Sequence, residues 1–198
     1  MSQGGWIAPL AASGSADVGF VIAVSAVGVS PAEQMIYSVE YELREKNYSE
    51  KAIRQVLEIC DLVNKYFRGD AVRSEAQGKL DQFSDESWFS LGYLPDSLPE
   101  DPTLTKWYQV MDFDPIPIIQ KIDVPVLLLY AEIDPWGPIN RSIARWKEHN
   151  PNDLDIHQIV GANHFMISIE HSGIRGEIGP QVEEYSAILT QWVKEQVE

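Results

Sequence analysis

Residues 124–138, with the sequence VPVLLLYAEIDPWGP, decide the fold. Residues 124–130 form an almost unbroken apolar run, which is typical of a strand buried on both faces of a parallel sheet. Asp134 follows this run by four residues, in a turn with Pro135. Because sites in parallel α/β sheets gather where the strands end, the pattern predicts an acidic side chain at such a site.

The same kind of strand is predicted at two other places in the chain. Residues 18–25 (VGFVIAVS) form a second continuous apolar run, and residues 155–160 (DIHQIV) suit a third strand. Helix-like segments alternate with these strands at residues 4–13, 140–150 and 179–198. This alternation predicts an α/β fold with about three parallel strands and flanking helices.

A segment of different composition interrupts the alternation of helices and strands. Residues 31–111 are rich in charge and carry apolar residues at helical spacing, which predicts two or three amphipathic helices followed by a Pro-rich stretch. Ser49 is the predicted N-cap of the second of these helices. We therefore predict three segments: residues 1–30 begin the core, residues 31–111 form a helical insert, and residues 112–198 complete the core.

Composition excludes several classes of function. The 198 residues carry a formal net charge of −15 with 44% hydrophobic residues, which argues against nucleic acid and anionic membranes as partners. The sequence shows no signal peptide and no run long enough to span a membrane, so a cytoplasmic location is expected if the chain is complete. Its single cysteine, Cys60, is expected to be a small core residue. No metal-ligand spacing appears, and neither a metal nor an organic cofactor is predicted.

Three residue types used in acyl transfer fall at predicted turns beside strands. Ser2 precedes a glycine pair, Asp134 follows one strand, and His164 lies in the loop GANHF after another. Histidine can take the proton of a serine hydroxyl, and a buried carboxylate can hold the imidazole in the required tautomer. The backbone N–H of Gln3 is an expected donor to the oxyanion. A plainer interpretation makes Ser2 the N-cap of the first helix.

The acid and the base also have competing assignments. Asp134 precedes a proline and could simply open a turn, and His164 could be a loop histidine with a satisfied hydrogen bond. Glu132 and Asp123 are rival acids, and His171 is the fallback base. The order Ser, Asp, His along the chain matches that of the α/β-hydrolase triad, which favours the catalytic interpretation.

The chain resembles the C-terminal portion of an α/β-hydrolase, in the serine esterase and prolyl-oligopeptidase-like branch. The resemblance rests on SQGGWIAPLAAS (2–13), KIDVPVLLLYAEIDPWGP (121–138) and GANHF (161–165), and it begins at the nucleophile elbow. It implies a partial α/β-hydrolase fold in which the insert is a helical cap. It also implies that Ser2 is the nucleophile, Asp134 the acid and His164 the base.

The resemblance implies a function and its alternatives. The implied reaction is hydrolysis of a carboxylic ester or amide of a small-molecule acyl substrate, through an acyl-serine intermediate without metal or organic cofactor. Aromatic residues of the cap either line an apolar substrate pocket or anchor the cap: Trp88, Phe89, Tyr93, Trp107 and Tyr108. The first five strands of the family are absent, so a truncated form is expected. Its alternatives are a non-catalytic domain that forms a homodimer through its exposed sheet edge, or a site completed by a partner chain.

Overall fold

The computed structural model describes residues 1–150 and 153–197. The chain divides into two compact units. The sheet unit comprises Met1–Val29 and Asp114–Glu198, and the helical unit comprises Ser30–Phe113. The elements follow one another as α1 (Gly4–Gly14), β1 (Val21–Val24), α2 (Pro31–Glu45), α3 (Glu50–Arg68), α4 (Arg73–Phe83), α5 (Lys106–Val110), α6 (Ile116–Ile119), β2 (Val126–Ala131), α7 (Ile139–His149), β3 (Leu154–Ile159), α8 (Ile169–Ser172) and α9 (Glu183–Val197).

Within the described residues, the sheet unit is built on three parallel strands in the order β1-β2-β3. The central strand β2 is buried along all six of its residues, as its unbroken apolar sequence predicts. In the register, Leu128 pairs with Ala23 of β1 on one side and with Ile156 of β3 on the other. The predicted α/β class with three parallel strands is therefore confirmed.

Several element boundaries differ from the predicted ones for identifiable reasons. Strand β2 begins at Val126 rather than at residue 124, because Pro125 has no N–H to donate to the ladder and contributes only its carbonyl, which accepts from Val21. Helix α9 begins at Glu183 rather than at residue 179, because the carbonyl of Pro180 accepts the N–H of Ser168. Glu198, the last residue of the predicted helix, lies outside the described residues.

The helical unit has an apolar core of its own. Helix α3 begins after the predicted cap, where the Ser49 hydroxyl accepts the N–H of Ala52 at 3.2 Å. It ends at Arg68, and its C-cap is Gly69 with a φ of 85°. Its buried face includes Ile53, Val56 and Cys60, so the prediction that Cys60 is a core residue is confirmed. Among the described helices, none is both long and apolar enough to cross a membrane.

Candidate active site

Ser2 stands in a tight turn at the end of β1. Its N–H donates to the carbonyl of Val24 at 2.9 Å, and its own carbonyl accepts the N–H of Gly5 at 2.6 Å. Its φ of 54° is uncommon for a residue with a side chain. Helix α1 begins two residues later, at Gly4. Ser2 thus has a left-handed backbone conformation and lies immediately before a helix.

One glycine of the pair after Ser2 is required by a close approach, and the other is not. A Cβ on Gly5 would lie 2.6 Å from both the Cα and the Cβ of Ala26, whereas a Cβ on Gly4 would meet nothing within 4 Å. Gly5 lets α1 pack directly against the segment that follows β1.

Asp134 and His164 form a buried hydrogen-bonded pair. Asp134 follows β2, and its Oδ2 lies 2.7 Å from Nδ1 of His164, which follows β3. Both side chains are 3% exposed. The second carboxylate oxygen, Oδ1, accepts the N–H of Trp136 at 2.8 Å. The carboxylate is thus fixed from two directions and presents one oxygen to the ring, which keeps a proton on Nδ1.

The Asn163 side chain holds the loop that carries the histidine. Its amide nitrogen donates to the carbonyls of Gly173 and Gly176 at 3.1 and 2.7 Å. Its amide oxygen accepts the N–H groups of Phe165 and Ile167 at 3.0 and 3.2 Å. Asn163 is fully buried, and these bonds close the turn around His164. Sequence reasoning missed this role, although a polar residue directly before the candidate base was a signal.

Ser25 ties the end of β1 to the same loop. Its hydroxyl donates to the backbone carbonyl of His164 at 2.7 Å, and the residue is 1% exposed with a φ of 50°. Since Ser2 bonds to Val24, the neighbouring residue, the Ser2 turn and the His164 loop are both fixed to the carboxyl end of β1. Sequence reasoning treated Ser25 as the last residue of a strand and missed the contact.

Aromatic rings surround the imidazole. The ring of His164 lies 5.1 Å from that of Trp136 and 5.1 Å from that of Phe165, centroid to centroid. The Arg175 guanidinium lies 5.3 Å from the Trp136 centroid. Packing of this kind restricts the ring's orientation, because rotation about its side-chain bonds would displace two neighbours.

Of the three residues predicted to form the triad, only two are therefore in hydrogen-bond contact in the described structure. Asp134 and His164 are in contact, whereas in the described chain the Ser2 hydroxyl makes no hydrogen bond to the His164 ring. Ser2 is placed at the same end of the sheet through its backbone. The N–H of Gln3 has no hydrogen-bond partner within the described residues.

The rival residues occupy other positions. The carboxylate of Glu132 accepts the N–H of Gly161 at 2.6 Å, and Asp123 is exposed. His171 is exposed, with its Nδ1 3.0 Å from the hydroxyl of Ser168. In the described part of the chain, no group of three or more histidine, cysteine or carboxylate side chains could hold a metal ion.

Tyr130 is a buried residue of β2 that interacts electrostatically with Asp134. Burial, and secondly the negative charge of Asp134, raise the pKa of this phenol well above its ordinary value. Tyr130 is 2% exposed, and its hydroxyl has no hydrogen-bond partner within the described residues. The phenol therefore stays neutral beside the carboxylate.

The five aromatic residues of the predicted pocket are divided between core and surface of the helical unit. Trp88 and Phe89 are buried in its core, whereas Tyr93 and Tyr108 are exposed. Trp107 is partly buried and packs against the same core. Two of the five, Tyr93 and Trp107, also line a cavity described below.

Comparison with known proteins gives a likeness at the level of the fold. No protein-family model matches the sequence, and a comparison with curated proteins found no match. Among solved structures, the chain is similar to DcsB in complex with its substrate analogue, with a TM-score of 0.50 and 16% identity over 100% of this chain and 63% of that one. It is also similar to the proline iminopeptidase of Mycobacterium smegmatis, with a TM-score of 0.49 and 15% identity over 99% of this chain and 64% of that one. The chain thus spans slightly less than two thirds of the length of each structure.

Proposed function

We propose that the chain carries the acid, base and nucleophile of a serine hydrolase that acts on a carboxylic ester or amide. The observation that supports the proposal most is the buried pair in which Nδ1 of His164 lies 2.7 Å from Oδ2 of Asp134. A carboxylate on Nδ1 leaves Nε2 as the proton acceptor, which is the arrangement a general base requires. The left-handed turn at Ser2, directly ahead of α1, is the conformation expected of a nucleophile elbow.

The first half of the proposed reaction forms the acyl-enzyme. Nε2 of His164 takes the proton from the Ser2 hydroxyl while the oxygen attacks the carbonyl carbon of the substrate. The imidazolium is stabilised by the Asp134 carboxylate. Collapse of the tetrahedral intermediate breaks the bond to the leaving alcohol or amine, which receives the proton from Nε2.

The second half regenerates the serine. Water gives a proton to Nε2 and attacks the acyl carbon, and Ser2 leaves with the proton that His164 returns. The N–H of Gln3 is the proposed donor to the oxyanion in both halves, and its lack of a partner in the described residues leaves it available.

The test is hydrolysis of p-nitrophenyl acetate by the chain and by three variants. Ser2→Ala and His164→Ala are expected to lower kcat/KM by a factor of about 10³ or more. His171→Ala is the matched control, since this exposed histidine lies outside the pair, and it is expected to keep the full rate. A rate that all three variants share with the unaltered chain would contradict the proposal.

A second candidate function is self-association, for which the position of β1 is the relevant observation. Within the described residues, β1 pairs with β2 on one side only. On its other side the Val24 carbonyl accepts the N–H of Ser2, and the backbone groups of Ile22 pair with no other described strand. We propose that a second copy pairs with this edge. Light scattering should then give twice the chain mass, and Ile22→Pro on β1, which removes an N–H that points away from β2, should yield monomers. A monomeric unaltered chain would contradict this candidate.

A further inference from the structure

The helical unit contains a cavity of about 250 Å³. Its wall is largely apolar and includes Val63, Phe67 and Leu94. Among the described residues, no charged side chain lines it. The thiol of Cys60 also borders the cavity, and burial raises its pKa to about 12, so that it stays neutral. A charged ligand would find no counter-charge here, and a neutral one fits.

Asn64 is the polar group of this cavity that lacks a full set of partners. It is 3% exposed and lines the cavity. Its Oδ1 accepts the indole N–H of Trp107 at 3.3 Å. Because an indole N–H only donates, this bond fixes which end of the amide is oxygen and which is nitrogen. The amide nitrogen has no hydrogen-bond partner within the described residues.

A donor left unpaired in an apolar cavity indicates what the cavity would bind. The Asn64 amide nitrogen is not fully buried, so a ligand in the cavity can reach it and accept its hydrogen bond. The missing partner is an acceptor such as a carbonyl oxygen. Dry cavities of about 150 Å³ hold benzene, so about 250 Å³ has room for one aromatic ring with a small substituent.

We infer that this cavity is a binding site for a neutral, monocyclic, largely apolar molecule whose carbonyl oxygen accepts a hydrogen bond from the Asn64 amide. The cavity is formed within the helical unit, and the inference does not depend on catalysis by Ser2. It goes beyond the proposed hydrolase reaction by assigning a ligand class to a cavity whose lining includes none of Ser2, Asp134 and His164.

The test compares two compounds of nearly equal shape on the full chain. Acetophenone carries the carbonyl, and α-methylstyrene replaces its oxygen with a methylene group. Affinities are measured by titration, and the site is located by chemical-shift changes at the Asn64 amide and the Trp107 indole N–H. We expect acetophenone to bind about 3- to 10-fold more tightly than α-methylstyrene, with both signals moving.

Two variants separate the hydrogen bond from the cavity. Asn64→Leu should remove the preference for acetophenone while leaving α-methylstyrene bound, and Val63→Phe should weaken both compounds by filling the space. Asn140→Leu, the same change at an exposed position of α7, is the matched control and should alter neither affinity. The comparison of compounds on the unaltered chain does not require any variant to fold.

Three results would overturn the inference. They are equal affinities of the two compounds for the unaltered chain, binding that leaves the Asn64 and Trp107 signals unmoved, and no binding of either compound, which would mean that water fills the cavity. None of these results bears on ester hydrolysis, and a chain inactive on p-nitrophenyl acetate can still bind acetophenone here. The failure of one proposal is thus distinguishable from that of the other.

Discussion

Replacing either glycine after Ser2 by alanine adds the same methyl group in two different environments. At Gly5 the new Cβ would lie 2.6 Å from the Cα of Ala26, which is a backbone atom and cannot rotate away. At Gly4 the new Cβ would meet nothing within 4 Å. Comparing the two variants therefore separates the effect of the close approach between α1 and the segment after β1 from any general effect of alanine.

The two variants are expected to change the free energy of unfolding in different directions. Alanine in a helix is favoured over glycine by up to about 1 kcal/mol, so Gly4→Ala should leave the free energy of unfolding unchanged or raise it slightly. Forcing an extra carbon into packed structure costs about 1–3 kcal/mol, so Gly5→Ala should lower the free energy of unfolding despite the helix preference. The Gly5 variant should also disturb Ser2, because the N–H of residue 5 donates to the Ser2 carbonyl.

The assay is urea unfolding followed by circular dichroism, run on both variants and the unaltered chain. A shift in midpoint without a change in slope reports a change in stability. We expect the midpoint of Gly5→Ala to fall and that of Gly4→Ala to stay or rise. Equal midpoints for the two variants would refute the close approach.

Three further predictions concern the site and the cysteine. Asp134→Asn should lower ester hydrolysis by about 10⁴-fold, because the amide would favour the wrong tautomer of His164; a loss below 10-fold in steady-state assays would contradict the pairing. Asn163→Ala should lower the free energy of unfolding in urea by about 2 kcal/mol, because it leaves partly buried backbone groups of the His164 loop without a partner, and an unchanged midpoint would contradict this role of Asn163. Burial raises the pKa of Cys60 from 9.0 to about 12, so between these values the folded chain keeps a proton that the unfolded chain loses. Stability should therefore fall as pH rises through 9, by about 1 kcal/mol at pH 10, and Cys60→Ala should show a smaller fall in alkaline unfolding curves; identical curves would contradict this.

The strands and the contact between Asp134 and His164 were predictable because their signals are local. An unbroken apolar run identifies β2, and the turn after it identifies Asp134. Parallel strands bring their carboxyl ends to one edge, so the contact between Asp134 and His164 follows from topology once the strands are known. The start of β2 was misplaced because the apolar pattern does not register that Pro125 lacks an N–H.

The supporting contacts were not predictable because their partners lie far apart in sequence or on an irregular loop. The Ser25 hydroxyl bonds to a carbonyl 139 residues away, and no short pattern encodes that pairing. The Asn163 amide satisfies four backbone groups of one loop, which only the folded path of that loop brings together. The Asn64–Trp107 bond likewise joins residues 43 positions apart.

The measurement that tests the proposed chemistry most directly is covalent labelling of the full chain with a fluorophosphonate probe, read by intact mass and peptide mapping. A serine becomes phosphonylated only when an adjacent base activates it. The account predicts one adduct per chain, located on Ser2, that is absent from the Ser2→Ala and His164→Ala variants. No adduct on a chain that is folded by circular dichroism, or an adduct on another residue, would contradict it.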